Sequence, residues 1–159
     1  MARKTSAMPL ARFLAARNFV PLPLVRTPSG HLELVQATVN GREARLWLDT
    51  GASRTMLDLR FARDLGLALT AQARCGAGAG GGGMAVQGAV LSQLTLAGFS
   101  EPDFGCLVMD LGHVNAGLKQ RGLPAIDGIV GADLLERREA VIDYKASVLY
   151  LRREFPGVA

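Results

Sequence analysis

Only two cysteines, Cys75 and Cys106, occur among the 159 residues. That is too few for a disulfide framework, and the pair lacks the spacing of metal ligands. Free buried thiols in a reducing cytoplasm are the simpler expectation, with one disulfide as the alternative. Aromatic residues make up 6% of the chain, so the core has to be built from Leu, Val, Ile and Ala. No aromatic-interleaved basic stripe is present, which argues against nucleic acid as a partner. No uncharged apolar run approaches the roughly 20 residues that cross a bilayer. Pro9, Arg12 and Arg17 interrupt any apolar segment near the start, so a secretory signal is not expected. The cytoplasm is then the default compartment, and membrane association is not indicated.

Acid is missing from the first 32 residues: Arg3, Lys4, Arg12, Arg17 and Arg26 all precede Glu33. This is the source of much of the formal net charge of +4. A solvated basic arm is the plain reading. Pro9 suits the first turn of a short helix reaching about Asn18, with Leu10, Phe13 and Leu14 on one face. The overall balance, 49% apolar and 20% charged, is that of one globular domain.

From Pro21 onward the dominant period is two. Leu32 to Val39 alternates as a strand, and Asn40-Gly41 is a strong hairpin turn signal. The return strand is expected over Ala44 to Leu48. Thr55 to Leu65 has helical spacing at Leu57, Phe61 and Leu65, with Gly66 as its stop. Alternating stretches follow from Met84 to Phe99, and Cys106 to Met109 reads as a buried strand. Gly112 to Arg121 and Asp133 to Arg138 read as helices. Ile126 to Ala132 (IDGIVGA) contains a short buried strand, and Ala140 to Tyr144 and Ser147 to Arg152 form two more. The fold expected is mainly β with two or three short helices, closed or sandwich-like rather than alternating βαβ.

One feature runs against simple burial. The apolar run Leu46-Trp47-Leu48 ends at Asp49, followed by Thr50, Gly51, Ala52 and Ser53. A carboxylate at the end of a buried strand is costly unless it is paired or hydrogen-bonded. An ordinary turn aspartate is one explanation, since Asp-Thr-Gly suits turns. A second signature about 80 residues on, Ile129-Val130-Gly131 followed by Asp133-Leu134-Leu135, favours another.

Together these motifs resemble the retroviral-type (retropepsin-like) aspartic protease family, including its bacterial single-domain members. The match runs loosely over Leu32 to Arg152 and leaves residues 1–20 and the Leu111 to Pro124 segment outside it. The resemblance implies an acid-protease-type closed β barrel spanning residues 21–155, preceded by a basic arm over residues 1–20. It implies an aspartic endopeptidase acting on peptide or protein substrates, with Asp49 as its catalytic acid. Two carboxylates about 3 Å apart can share one proton and so activate a water and protonate a carbonyl together; that picture is the general one for the aspartic-protease dyad. The chain holds a single Asp-Thr-Gly, so the dyad requires a homodimer with its active site at the interface.

The remaining roles come from the same resemblance. Thr50 would bond across the dimer axis, and Gly51 would donate its N–H to the carboxylates. Ala52 stands where pepsin-like members usually carry Ser, so the dyad should work at a milder pH than theirs. Ile129, Val130 and Gly131 would back the loop. The glycine run over residues 76–83 contains Gly76-x-Gly78-x-x-Gly81, but no helix follows it, so dinucleotide binding is not expected. A flap built on Gly78, Gly80, Gly81, Gly82, Gly83 and Met84 fits better. No metal or cofactor is called for. Asp127 reads as a turn former, His31 and His113 as surface residues, Trp47 and Tyr144 as packing, and Asp58, Arg60, Arg63 and Asp64 as a solvated helix face.

Two other functions compete. A non-catalytic dimerisation or peptide-binding module could keep the fold, but it has no need to bring two acids together. A phosphate-handling enzyme with loops at Asp49 and Asp127 would need about twice the length and helical cover on its sheet.

Overall fold

The computed structural model describes residues 9–70, 74–76 and 84–153. Pro9 opens α1 (Leu10–Ala15), of which only Leu14 is buried. Asn18, at φ 66°, turns the chain into β1 (Phe19–Arg26). β1 serves two antiparallel neighbours in succession. Phe19 to Pro23 pair with the last strand, β12 (Val148–Arg152), and Leu24 to Arg26 with β2 (Leu32–Leu34).

The strand expected over Leu32 to Val39 is divided at Gln36, φ 53°, into β2 and β3 (Ala37–Val39). Asn40 and Gly41, at φ 49° and 81°, make the predicted tight turn into β4 (Arg42–Glu43). The return strand then stops instead of running on to Asp49. Arg45 N–H donates to the Asp127 carboxylate (2.8 Å) and Asp127 N–H to the Arg45 carbonyl (2.9 Å), drawing the chain away from the hairpin. Beyond that break, β5 (Leu46–Leu48) lies between β2, antiparallel, and β10 (Gly128–Val130), parallel.

The single helix expected over Thr55 to Leu65 begins as a strand, β6 (Met56–Asp58), and only then becomes α2 (Leu59–Asp64). Asp58 causes the switch. Buried, and not on a solvated face as expected, its carboxylate caps α2 by accepting from Arg60 and Phe61 N–H, and it also accepts from Leu111 N–H at 3.0 Å. Gly66, φ 66°, ends the turn after α2 as its position predicts. β7 (Arg74–Gly76) pairs with the start of β8 (Met84–Leu96), which returns through Ala97-Gly98 as β9 (Phe99–Met109). α3 (Gly112–Gln120), β10, α4 (Ala132–Arg137), β11 (Val141–Asp143) and β12 complete the chain.

The result is mainly β, with four short helices among the described residues where two or three were expected. Strand order is β11-β12-β1-β2-β5-β10-β6-β9-β8-β3-β4, with β7 paired to β8. The closed barrel expected from the sequence does not form. Closure needs first and last strands long enough to pair; here the path ends at three-residue β11 and at two-residue β4, whose residues are both exposed.

Two apolar clusters sandwich the central strands. Leu46, Leu48, Leu57 and Val130 enter the main core with Leu22, Phe104 and Leu149. Trp47, Met56 and Ile129 point the other way, against Leu111, Leu118 and Ile126 of the α3 segment. Burial on both faces explains why β5 reads as an unbroken apolar run. Trp47 is thus core packing as expected, whereas Tyr144 is 56% exposed. His31, exposed as expected, is not without partners: it stacks on Trp47 at 4.0 Å and bonds Ser29 at 3.0 Å. Among the described residues no helix is long and apolar enough to cross a membrane.

Candidate active site

The geometry at Asp49 follows from β10 lying between β5 and β6. The chain leaves β5, passes over the end of β10 as residues 49–55, and returns as β6 on its other side. Asp49 N–H extends the β5–β10 ladder by donating to the Val130 carbonyl (3.0 Å). The carboxylate turns back on its own loop: Oδ1 accepts from Gly51 N–H at 2.8 Å. Ala52 N–H closes the turn onto the Asp49 carbonyl (3.2 Å), and Ala132 N–H donates to the Ala52 carbonyl (2.8 Å). The Asp-Thr-Gly loop and the start of α4 are therefore one hydrogen-bonded body.

Gly131 is the steric condition for that crossing. A Cβ there would stand 2.5 Å from the Arg54 carbonyl carbon and 2.8 Å from the Ala52 oxygen, backbone atoms with nowhere to rotate. Gly128 is similarly tight, 2.5 Å from the Met56 oxygen. Gly51 is less so, since its Cβ would meet the Asp49 carboxylate at 3.2 Å. The apolar-apolar-Gly signature thus has a local cause: β10 must be apolar on both faces, and must end where a loop crosses it.

A polar bridge that the sequence did not single out locks the crossing in place. Thr55, 1% exposed, donates its hydroxyl to Asp133 Oδ1 (2.7 Å) and accepts from Gly131 N–H (3.1 Å). Asp133 Oδ1 also accepts from Thr55 N–H (2.8 Å) and from Leu134 N–H (2.9 Å), while its Oδ2 accepts from Arg54 Nε (3.1 Å). Bonds to a charged acceptor are worth about 1.5–3 kcal/mol each. Seventy-eight residues separate Thr55 from Asp133, so only the fold brings them together. Cys106 lies in the field of this pair. Its thiol is pushed up to about 12, chiefly by burial, then by the Asp133 charge, with Arg54 acting in the opposite sense. It is an inert core thiol; the side chain of Cys75 lies outside the described residues.

Asp49, Thr50 and Gly51 are exposed and Ala52 half-buried, so the loop presents its carboxylate outward on a rigid base. Val130 and Gly131 are buried behind it, and Ile129 is partly covered by the α3 segment. Of the flap candidates, Gly78, Gly80, Gly81, Gly82 and Gly83 lie outside the described residues, and Met84 is the first residue of β8. Asp127 is held by Arg45 as a structural acid. Asp133 has both oxygens occupied. A lone outward carboxylate can exchange a proton with water; to act as acid and base together it needs a second acid. Among the described residues no group of three or more His, Cys, Asp or Glu is arranged to hold a metal.

A family model described as Aspartyl protease matches residues 35–134. Comparison with curated proteins finds no match. Among solved structures, the chain is similar to a retropepsin-like aspartic protease from Rickettsia conorii, at 22% identity over 84% of this chain and 88% of that one, with a TM-score of 0.53. It is also similar to the retroviral protease-like domain of Ddi1 from Leishmania major, at 23% identity over 78% of this chain and 90% of that one, again with a TM-score of 0.53. At these identities the likeness is one of fold.

Proposed function

The chain belongs to the aspartyl protease family, and from that membership we propose that it is an aspartic endopeptidase whose active site forms when two copies bring their Asp49 side chains together. The observation that supports this most is the Asp49 carboxylate, exposed on a loop that is rigidly tied to α4 and backed by Gly131. A surface carboxylate needs no such scaffold to form a turn, whereas a shared-proton pair needs its two members fixed to within fractions of an ångström.

In the dimer, one Asp49 is ionised and the other protonated, because two like charges so close do not both ionise. The ionised carboxylate takes a proton from a water as its oxygen attacks the scissile carbonyl carbon. The protonated one gives its proton to the carbonyl oxygen, leaving a neutral tetrahedral diol. Collapse returns a proton to a carboxylate and delivers one to the departing amide nitrogen, so the C–N bond breaks to a carboxyl and an amine. Apparent pKa values would belong to the pair. Thr50 and Gly51 hold the loop and the carboxylates, Ala52 links the loop to α4, and Ile129 to Gly131 form the base. The catalytic domain is taken over residues 21–155, with Phe19 and Val20 extending β1 at its start through their pairing with Arg152 and Leu151.

Cleavage of a mixed peptide pool from about pH 3 to about pH 8, read by mass spectrometry, tests the proposal. Products are expected to fall by about a hundredfold or more in Asp49→Asn, and wild-type activity to drop steeply on dilution as the dimer separates. Equal activity in wild type and variant, in a sample shown by light scattering to be dimeric, would replace this reading with a non-catalytic binding module.

A further inference from the structure

Away from Asp49, α2 and α3 enclose a groove of about 380 Å³. Its apolar lining comes from Ala116, Leu123 and Ala125, and its charges from Arg60 and Lys119. No acid lines it. The carboxylates nearest Arg60 in sequence are engaged elsewhere: Asp58 is buried in its cap, and Asp64 pairs with Arg42 at 3.9 Å. Between Asp110 and Asp127 the sequence contains no Asp or Glu at all. Among the described residues neither Arg60 nor Lys119 forms an ion pair.

The walls are built, not incidental. The buried Asp58 carboxylate fastens the groove at one end by holding both α2, through Arg60 and Phe61 N–H, and the start of α3, through Leu111 N–H. Asn115 fastens the other side. Its amide donates to the Ile126 carbonyl (3.1 Å) and accepts from Ile126 N–H (2.9 Å), tying α3 to the segment that supplies Leu123 and Ala125. A groove held in this way loses little freedom when filled.

Local energetics do not account for the charges. Lys119 in the last turn of α3 favours the helix dipole, but Arg60 in the first turn of α2 opposes it. A cation in that place, without an ion pair among the described residues, is a choice that suits a ligand better than the helix.

We propose that the α2–α3 groove binds an acidic segment of another polypeptide, with carboxylates paired to Arg60 and Lys119 and an apolar side chain seated on Ala116, Leu123 and Ala125. The lining offers no aromatic face on which a base could stack, which favours peptide over nucleic acid. The chain's net charge of +4 adds attraction for an acidic partner at long range. Binding of this kind stands whether or not Asp49 hydrolyses what is bound.

The test is fluorescence anisotropy with a labelled peptide of alternating Glu and Leu, titrated with the full chain carrying Asp49→Asn so that the probe stays intact. Binding is expected to weaken with added salt, to vanish when Gln replaces Glu in the peptide, and to fall about tenfold or more in Arg60→Glu/Lys119→Glu. Both side chains lie on the surface, so the thermal midpoint of that variant should match its parent. A control variant, Arg12→Glu on α1 with Arg17→Glu in the turn that follows it, should bind as the parent does. Equal binding by the groove variant, loss of binding in the α1 variant, or binding of a single-stranded oligonucleotide in place of the peptide would each overturn the proposal.

Discussion

β5, β6 and β10, which hold the Asp49 loop, are three residues long each; the neighbouring hairpin strands, β8 and β9, have thirteen and eleven. The hairpin pairs its strands with each other in one register, from Leu96↔Phe99 at the turn out to Val86↔Met109, interrupted only at Ser92 and Asp103. Its register is fixed by local alternation and a two-residue turn. The short strands have no such resource. They are held by side chains reaching across 53 to 82 residues: Asp58 to Leu111, Thr55 to Asp133, and Asp127 to Arg45. One long-range device also anchors the hairpin, where buried Glu101 on β9 meets Arg138 at 2.6 Å and Arg137 at 3.0 Å at the end of α4. Positions set by ladders tolerate change; positions set by single polar contacts and close backbone crossings do not.

Matched glycine substitutions would put that difference under most strain. Gly131→Ala drives a Cβ into immovable backbone and should cost about 1–3 kcal/mol or more, lowering the urea midpoint and disturbing the Asp49 loop; an unchanged midpoint would show that the crossing can yield. Thr55→Val keeps the shape but removes the hydroxyl between Asp133 and Gly131, leaving a buried N–H without its acceptor. A loss of about 1–3 kcal/mol is expected, with Thr55→Ser restoring most of it.

Where the hairpin touches this network, Cys106 supplies a pH-dependent probe. The folded thiol titrates at about 12 and the unfolded one near the ordinary 9.0, so the raised folded value contributes stability that is fully present below pH 9.0 and declines as pH climbs toward 12. The stability advantage of wild type over Cys106→Ala should shrink by about 1.4 kcal/mol per pH unit across that window; a constant difference between pH 7 and 11 would count against it. The smallest effect should come from Gly105→Ala on β9, where a Cβ meets nothing within 4 Å. Loss of a flexible strand glycine should raise stability by about 0.5–1 kcal/mol there. A cost comparable to that of Gly131→Ala would erase the contrast between the two regions.

Much of this was legible from periodicity. The Asn40-Gly41 turn, α3, α4 and the two closing strands lie close to where alternation and helical spacing place them, because each depends on neighbours in sequence. The breaks at Gln36 and at 44–45, the strand start of Thr55 to Leu65, and the burial of Asp58 were not legible. Each is imposed by a partner far along the chain: Asp127 draws Arg45 out of the hairpin, and β9 and β10 pair with β6 before a helix can begin. The surface reading of His31 holds, but nothing local announces the Trp47 indole on which it stacks.

At the site itself, the sequence alone determined the Asp-Thr-Gly loop at the end of an apolar strand and the apolar-apolar-Gly signature that accompanies it. It also determined that a single copy of the motif is present, because these are properties of residue type and order. Only the tertiary structure decided that the two signatures form one crossing, that Thr55 and Asp133 lock it, that the sheet stays open, and that α2 and α3 frame a cationic groove. Pairing partners of short strands, and of single polar side chains, are selected by the free energy of the whole packed chain, which no local window contains.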